Sequence, residues 1–159
     1  MSAELAGGLE SVATARVVAV ASKGGHWEQM LALREVFDGV EAIYVTTDES
    51  ARAGVNGVVE IVGDCSRSDV LSVLRCAWQS LELFLRYRPR TVVSTGAAPG
   101  LIMLFWARLF GARTIWIDSV ANVEKLSMSG RIASYFVHHC FTQWPHVATS
   151  RVRFVGSVL

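Results

Sequence analysis

Short runs of β-branched and apolar residues alternate along this chain with longer stretches of helical spacing. That alternation is the strongest constraint on its fold. The runs are Arg16–Ser22 (RVVAVAS), Ala42–Thr47, Gly57–Gly63, Thr91–Gly96 and Arg113–Ser119. The helical stretches are His26–Phe37, with Met30, Leu33 and Phe37 on one stripe, then Ser66–Arg88, Ala98–Gly111 and Ser129–Val137. In Ser66–Arg88 the residues Val70, Leu74, Ala77, Leu81 and Phe84 share a face, and Ser66 or Ser68 is placed to cap its start. His139–Trp144 and Val152–Leu159 are further strand-like pieces. Strands alternating with helices predict an α/β fold, a Rossmann-like, doubly wound, mostly parallel sheet joined by right-handed crossovers.

Composition narrows the rest. With 159 residues, one domain is expected, spanning 16–159 behind a short lead-in at 1–15 that lacks the pattern of a signal peptide. A formal net charge of +1 gives no electrostatic case for nucleic acid. Apolar residues make up 52% of the chain, which a sheet covered on both faces explains in part and a surface resting on a membrane or a partner explains further. Cys65, Cys76 and Cys140 are odd in number and lack CxxC spacing, which argues against a disulfide framework or a zinc site and fits a reducing compartment. No stretch approaches the roughly 18 apolar residues of a spanning helix.

In an open α/β sheet, ligands lie beyond the carboxyl ends of the strands. Three strand ends carry unusual chemistry: Lys23-Gly24-Gly25-His26, Thr95-Gly96-Ala97-Ala98-Pro99-Gly100, and Asp118-Ser119-Val120-Ala121-Asn122. The first and fourth strands are expected to be neighbours at the switch point, so their turns border one crevice. Each turn leads into a helix, whose free N–H groups and dipole favour an anion, phosphate above all. Tight-turn glycines of any strand–helix unit would look similar at either turn alone. His26 is a candidate general base or a donor to a phosphate or sugar hydroxyl. Glu28, one turn on, either touches a polar acceptor or serves as an ordinary acidic residue in a first helical turn.

A dinucleotide fingerprint requires G-x-G-x-x-G and an acidic residue about 20 positions on. Asp48 meets the second demand, but Gly24 and Gly25 are adjacent, and Gln29 and Met30 occupy the region of the third glycine. His138, His139 and Cys140 have no fourth ligand at metal spacing and read as core packing. "GAAPG" lacks the serine of a nucleophile elbow. The apolar helix Leu101–Phe110 (LIMLFWARLF) is flanked by Arg108 and Arg113, and the helix before it ends in Arg86, Arg88 and Arg90. Burial accounts for such a helix, and so does contact with anionic lipid.

Four segments, "SKGGHWEQML", "RPRTVVSTGAAPG", "IWIDSVANVEKLSMSGRI" and "FTQWPHV…FVGSVL", taken in this order, give the chain from about Val17 to Leu159 a specific look. It resembles the Alg14-like family of oligosaccharide-biosynthesis proteins, including bacterial exopolysaccharide members of the PssD type. The resemblance implies a single lobe equivalent to the N-terminal half of a MurG-like GT-B glycosyltransferase. It implies an Alg13-like partner that carries the UDP-sugar donor, with no cofactor and no metal in this chain. It further implies a polyprenyl-diphosphate-linked acceptor and a peripheral location on the cytoplasmic face of the membrane. On this reading Lys23, Gly24, Gly25, Glu28, Thr95, Gly96, Asp118, Ser119 and Asn122 hold the acceptor, and His26 touches its sugar hydroxyl or assists that hydroxyl's deprotonation. Val155, Gly156, Val158 and Leu159 dock the partner. Two departures stand out: family members from eukaryotes carry an N-terminal membrane anchor, and the family pattern usually has glutamate at the position of Asp118. A self-contained nucleotide- or NAD-binding enzyme and a non-catalytic membrane scaffold are the rival readings.

Overall fold

The computed structural model describes residues 17–65 and 68–158; the expected lead-in, 1–15, lies outside them. Seven strands form one sheet: β1 (Val17–Ala21), β2 (Ala42–Thr46), β3 (Val58–Ile61), β4 (Thr91–Gly96), β5 (Arg113–Ile117), β6 (His139–Thr142) and β7 (Arg153–Phe154). Their order is β3-β2-β1-β4-β5-β6-β7, and every adjoining pair is parallel. All carboxyl ends therefore share one rim. The order reverses between β1 and β4, which creates the switch point there.

Alternation along β1 explains why the strand is apolar throughout. Val18 and Val20 face one core, with Val45, Val92 and the helical residues Phe84, Met103 and Leu104. Ala19 and Ala21 face the other, with Trp27, Met30, Phe37 and Tyr44. A central strand of a parallel sheet is covered on both sides, so neither parity can be polar. Helix α1 (Gly25–Ala32) covers the second face, while α2 (Val70–Tyr87) and α3 (Ala97–Leu109) cover the first. A short α4 (Met128–Ala133) follows β5 and adds Ala133 to the first core.

Helix α3 lies very close to the sheet. A Cβ built on Gly100 would stand 1.9 Å from Ser94 Oγ, so only glycine permits this approach.

Several boundaries differ from the sequence expectation. The helix expected over His26–Phe37 stops at Ala32 and tightens into a 3-10 turn, Arg34–Phe37. The tighter turn delivers Phe37 edge-on to Tyr44 at 6.1 Å. Helix α2 begins at Val70, with Asp69 rather than Ser68 as its cap: the Asp69 carboxylate accepts from Leu71 N at 3.1 Å. Ser66 lies outside the described residues. The inward face of α2 is Cys76, Ser80, Leu83 and Phe84. Of the expected stripe, only Phe84 is on it; Val70 and Leu74 are 70% and 60% exposed. The last expected strand, Val152–Leu159, reduces to Arg153–Phe154. The helix expected over Ser129–Val137 is the shorter α4, started by Ser127, whose hydroxyl accepts from Gly130 N at 2.8 Å.

Candidate functional site

The turns after β1 and β4 meet at His26. The backbone folds back at Gly24 (φ 77°) so that α1 starts at Gly25, and His26 follows in its first turn. The His26 imidazole Nδ1 lies 3.0 Å from the Thr95 carbonyl. A carbonyl only accepts, so Nδ1 carries the proton and Nε2 is left with a free lone pair in the neutral ring. In return, Thr95 Oγ1 donates to the His26 carbonyl at 2.7 Å. The ring lies against Gly96, where a Cβ would come within 2.2 Å of Nδ1. Gly96 (φ 146°) and Ala97 (φ 65°) both hold positive φ. For Ala97 that is a strained conformation, of the kind that concentrates at functional sites.

The four α-helices among the described residues divide by their caps. Helices α2 and α4, which start away from this turn pair, have side-chain caps, Asp69 and Ser127. Helices α1 and α3, which start at it, have none: their caps are Gly24 and Gly96. Two bare helix N-termini thus flank the His26 ring. Unfilled N–H groups and two positive dipole ends make this a place suited to an anion.

The third turn forms a wall built on Asp118, which is 1% exposed. Its carboxylate accepts four hydrogen bonds: from Trp116 Nε1 (3.0 Å), Asn122 Nδ2 (3.1 Å), Ser127 N (2.9 Å) and Ser127 Oγ (2.6 Å). Asp118 and Asn122 therefore spend their side-chain groups on holding the 118–127 loop. Ser119 is also buried, and its hydroxyl accepts from Ala121 N at 3.3 Å. Gly130 leaves room for this cluster, since a Cβ there would stand 2.5 Å from Asp118 Oδ1. Burial and the nearby Asp118 charge push the Cys140 thiol up to about 12.

Gln29, absent from the sequence-based site, ties the wall to α1. Its amide is buried, donates from Nε2 to the Asp118 carbonyl at 3.1 Å and accepts at Oε1 from Val120 N at 3.0 Å. The signal was its place in the chain: Gln29 falls where a dinucleotide fingerprint would have its third glycine. Trp144 Nε1 supports the same loop by donating to the Val120 carbonyl at 2.8 Å.

The other expected residues are more peripheral. Lys23 and Glu28 are exposed. Lys23 Nζ pairs with Asp64 at 3.3 Å, while its backbone N–H donates to Thr47 Oγ1 at 2.9 Å. Val155 and Gly156 are exposed just past β7, and Val158 N donates to Gln143 Oε1 at 3.0 Å; Leu159 is outside the described residues. His138 Nδ1 accepts from Thr114 N at 3.1 Å, and burial, followed by the charge of Arg108, lowers its pKa. Cys140 is buried, and no cluster of three metal-type ligands occurs among the described residues. Among them, too, no helix is long and apolar enough to cross a membrane.

This architecture is a Rossmann-like lobe of the kind that forms the N-terminal half of GT-B proteins. It superposes on MurG of Acinetobacter baumannii with a TM-score of 0.68 at 14% identity, covering 88% of this chain and 45% of that one. It superposes on the UDP-N-acetylglucosamine 2-epimerase of Rickettsia bellii with a TM-score of 0.69 at 10% identity, covering 91% and 45%. The chain thus spans less than half the length of these two structures, and at such identities the likeness is one of fold. The chain itself belongs to the Alg14 family: the model described as "Oligosaccharide biosynthesis protein Alg14 like" matches residues 59–158. A relative from Eremothecium gossypii, the UDP-N-acetylglucosamine transferase subunit ALG14, is 30% identical over 86% of this chain and 76% of its own length. The human protein of the same name is 31% identical over 49% of this chain and 39% of its own.

Proposed function

We propose that this chain is the acceptor-binding, membrane-recruiting subunit of a two-chain inverting UDP-sugar glycosyltransferase, acting on a polyprenyl-diphosphate-linked sugar in exopolysaccharide assembly. The observation that carries the reading is the meeting of two bare helix N-termini at a histidine of fixed tautomer. The acceptor diphosphate lies against the N–H groups of α1 and α3. Lys23 adds its ammonium, since an exposed pair such as Lys23–Asp64 contributes only about 0–1 kcal/mol and is easily exchanged. The acceptor hydroxyl faces His26 Nε2. As that oxygen attacks the anomeric carbon of the donor, its proton passes to Nε2 and the bond to UDP breaks. The Thr95 carbonyl steadies the resulting imidazolium through Nδ1–H. Asp118, Asn122 and Gln29 position the wall of the cleft.

The donor belongs to an Alg13-like partner, which docks beside β7 at Val155–Leu159. This is supported by Gln29: it stands at the sequence position that the dinucleotide fingerprint reserves for its third glycine, and its side chain is spent on the loop after β5. Recruitment to the cytoplasmic face of the membrane uses the outer side of α2 and α3 and the turn after α4, where Leu71, Trp78, Leu109 and Tyr135 are exposed among Arg75 and Arg131.

Co-purification with the partner, followed by sugar transfer to a bacterial lipid extract, tests the reading. Transfer should require both chains, and UDP should bind only when the partner is present. Tight binding of a UDP-sugar or NAD to this chain alone would refute it.

A further inference from the structure

Apart from Arg108 in its last turn, the outer side of α3 is apolar where a helix on the surface of a soluble domain carries charge. Gly100 lets α3 lie close against Ser94 of the sheet, and α2 and α4 both pack against α3. A trough of about 310 Å³ is left over α3, lined by Val73 and Ala77 of α2, Leu101, Phe105 and Trp106 of α3, and Ile132 of α4. Trp106, which carries the one polar side-chain group in this lining, donates its indole N–H to the Ala77 carbonyl at 3.0 Å.

We propose that this trough holds the first isoprene units of the acceptor's lipid chain, drawn out of the bilayer while its diphosphate lies at the start of α3. The inference rests on the acceptor reading given above. Three observations select this occupant. A peptide or glycan would bring N–H, C=O or O–H groups, and the trough offers them no partner. A flat bilayer surface would meet the most exposed residues, such as Trp78 at 70% exposure, whereas a recess between helices fits a single chain. The trough is also continuous with the site: Leu101 lies one turn past Ala97, about 6 Å along the axis from the bare α3 N-terminus.

The test is calorimetric binding of inorganic diphosphate, farnesol and farnesyl diphosphate to the purified chain, below micelle-forming concentrations. Ala77→Phe plugs the trough and Phe105→Ser wets it. Farnesyl diphosphate should bind at least about tenfold more tightly than diphosphate, and farnesol should bind alone. Either substitution should remove both gains and leave the diphosphate affinity unchanged. Equal affinities for diphosphate and farnesyl diphosphate, or farnesol binding indifferent to both substitutions, would overturn the proposal. So would equal hydrogen-exchange protection of residues 101–106 by phosphatidylglycerol vesicles with and without polyprenyl diphosphate, or a concentration-dependent dimer that hides the trough. Farnesol in the trough without any diphosphate binding would uphold the trough and reject the acceptor-phosphate reading instead.

Discussion

His26 and Thr95 are locked together by two hydrogen bonds of opposite sense, ring Nδ1–H to carbonyl and hydroxyl to carbonyl. The lock joins the ends of two adjacent strands and fixes which imidazole nitrogen keeps its lone pair. A proposed proton acceptor is thus oriented by backbone groups, whose positions the sheet determines.

Replacing His26 by asparagine separates holding from proton transfer. The amide can still donate to the Thr95 carbonyl but offers no basic nitrogen. Transfer by the assembled two-chain enzyme should fall about 10²- to 10⁴-fold, with co-purification of the partner unchanged. Full activity in the variant would remove His26 from the chemistry.

Two glycine substitutions should part company. At Gly24 a Cβ meets nothing within 4 Å, so Gly24→Ala costs only its backbone strain (φ 77°, ψ −140°), about 1–3 kcal/mol. At Gly96 the Cβ meets the His26 ring, so Gly96→Ala should cost about 2–4 kcal/mol and displace the imidazole. Denaturant midpoints of the two variants check the order, and the His26 ring resonances in NMR check the displacement.

Asp118→Asn keeps the shape of the side chain but turns one acceptor into a donor that faces N–H groups. The Trp116 indole and the Ser127 amide cannot reverse their role, so the loss should be about 2–4 kcal/mol. The change should appear in the unfolding midpoint and in Trp116 fluorescence.

Cys140 gives a pH signature. Its folded value, about 12, lies above the ordinary value of 9.0, so the folded state keeps a proton that the unfolded chain releases. Its contribution is complete below pH 9 and is lost as pH rises from about 9 towards 12. Unfolding free energy should therefore decline more steeply over that window in the native chain than in Cys140→Ala. Parallel curves would contradict the assignment.

Much of this was legible in the sequence because a parallel sheet writes its strands as apolar runs and its turns as glycines. The adjacency of β1 and β4 followed from topology, and with it the pairing of the His26 and Thr95 turns. The end of α1 did not, since no glycine or proline marks Ala32; the reach of Phe37 to Tyr44 decides it. On α2, apolar periodicity named the wrong face: Val70 and Leu74 are as apolar as core residues, and burial instead follows Cys76 and Ser80. Gln29 was not assigned to the site because its partners are main-chain groups about 90 positions away, which no local pattern encodes.

The central pairing of β1 with β4 also sets the order in which the chain can be completed. His26 and Thr95 are 69 positions apart, so the inner edge of β1 stays unpaired until β4 has been synthesised and docked. Contacts of such long range form slowly, because the loop must close before they contribute. A nascent chain that holds only β1 to β3 has the glycine turn but not the lock, so the geometry proposed to bind the acceptor arrives late in folding, with the closure of the sheet.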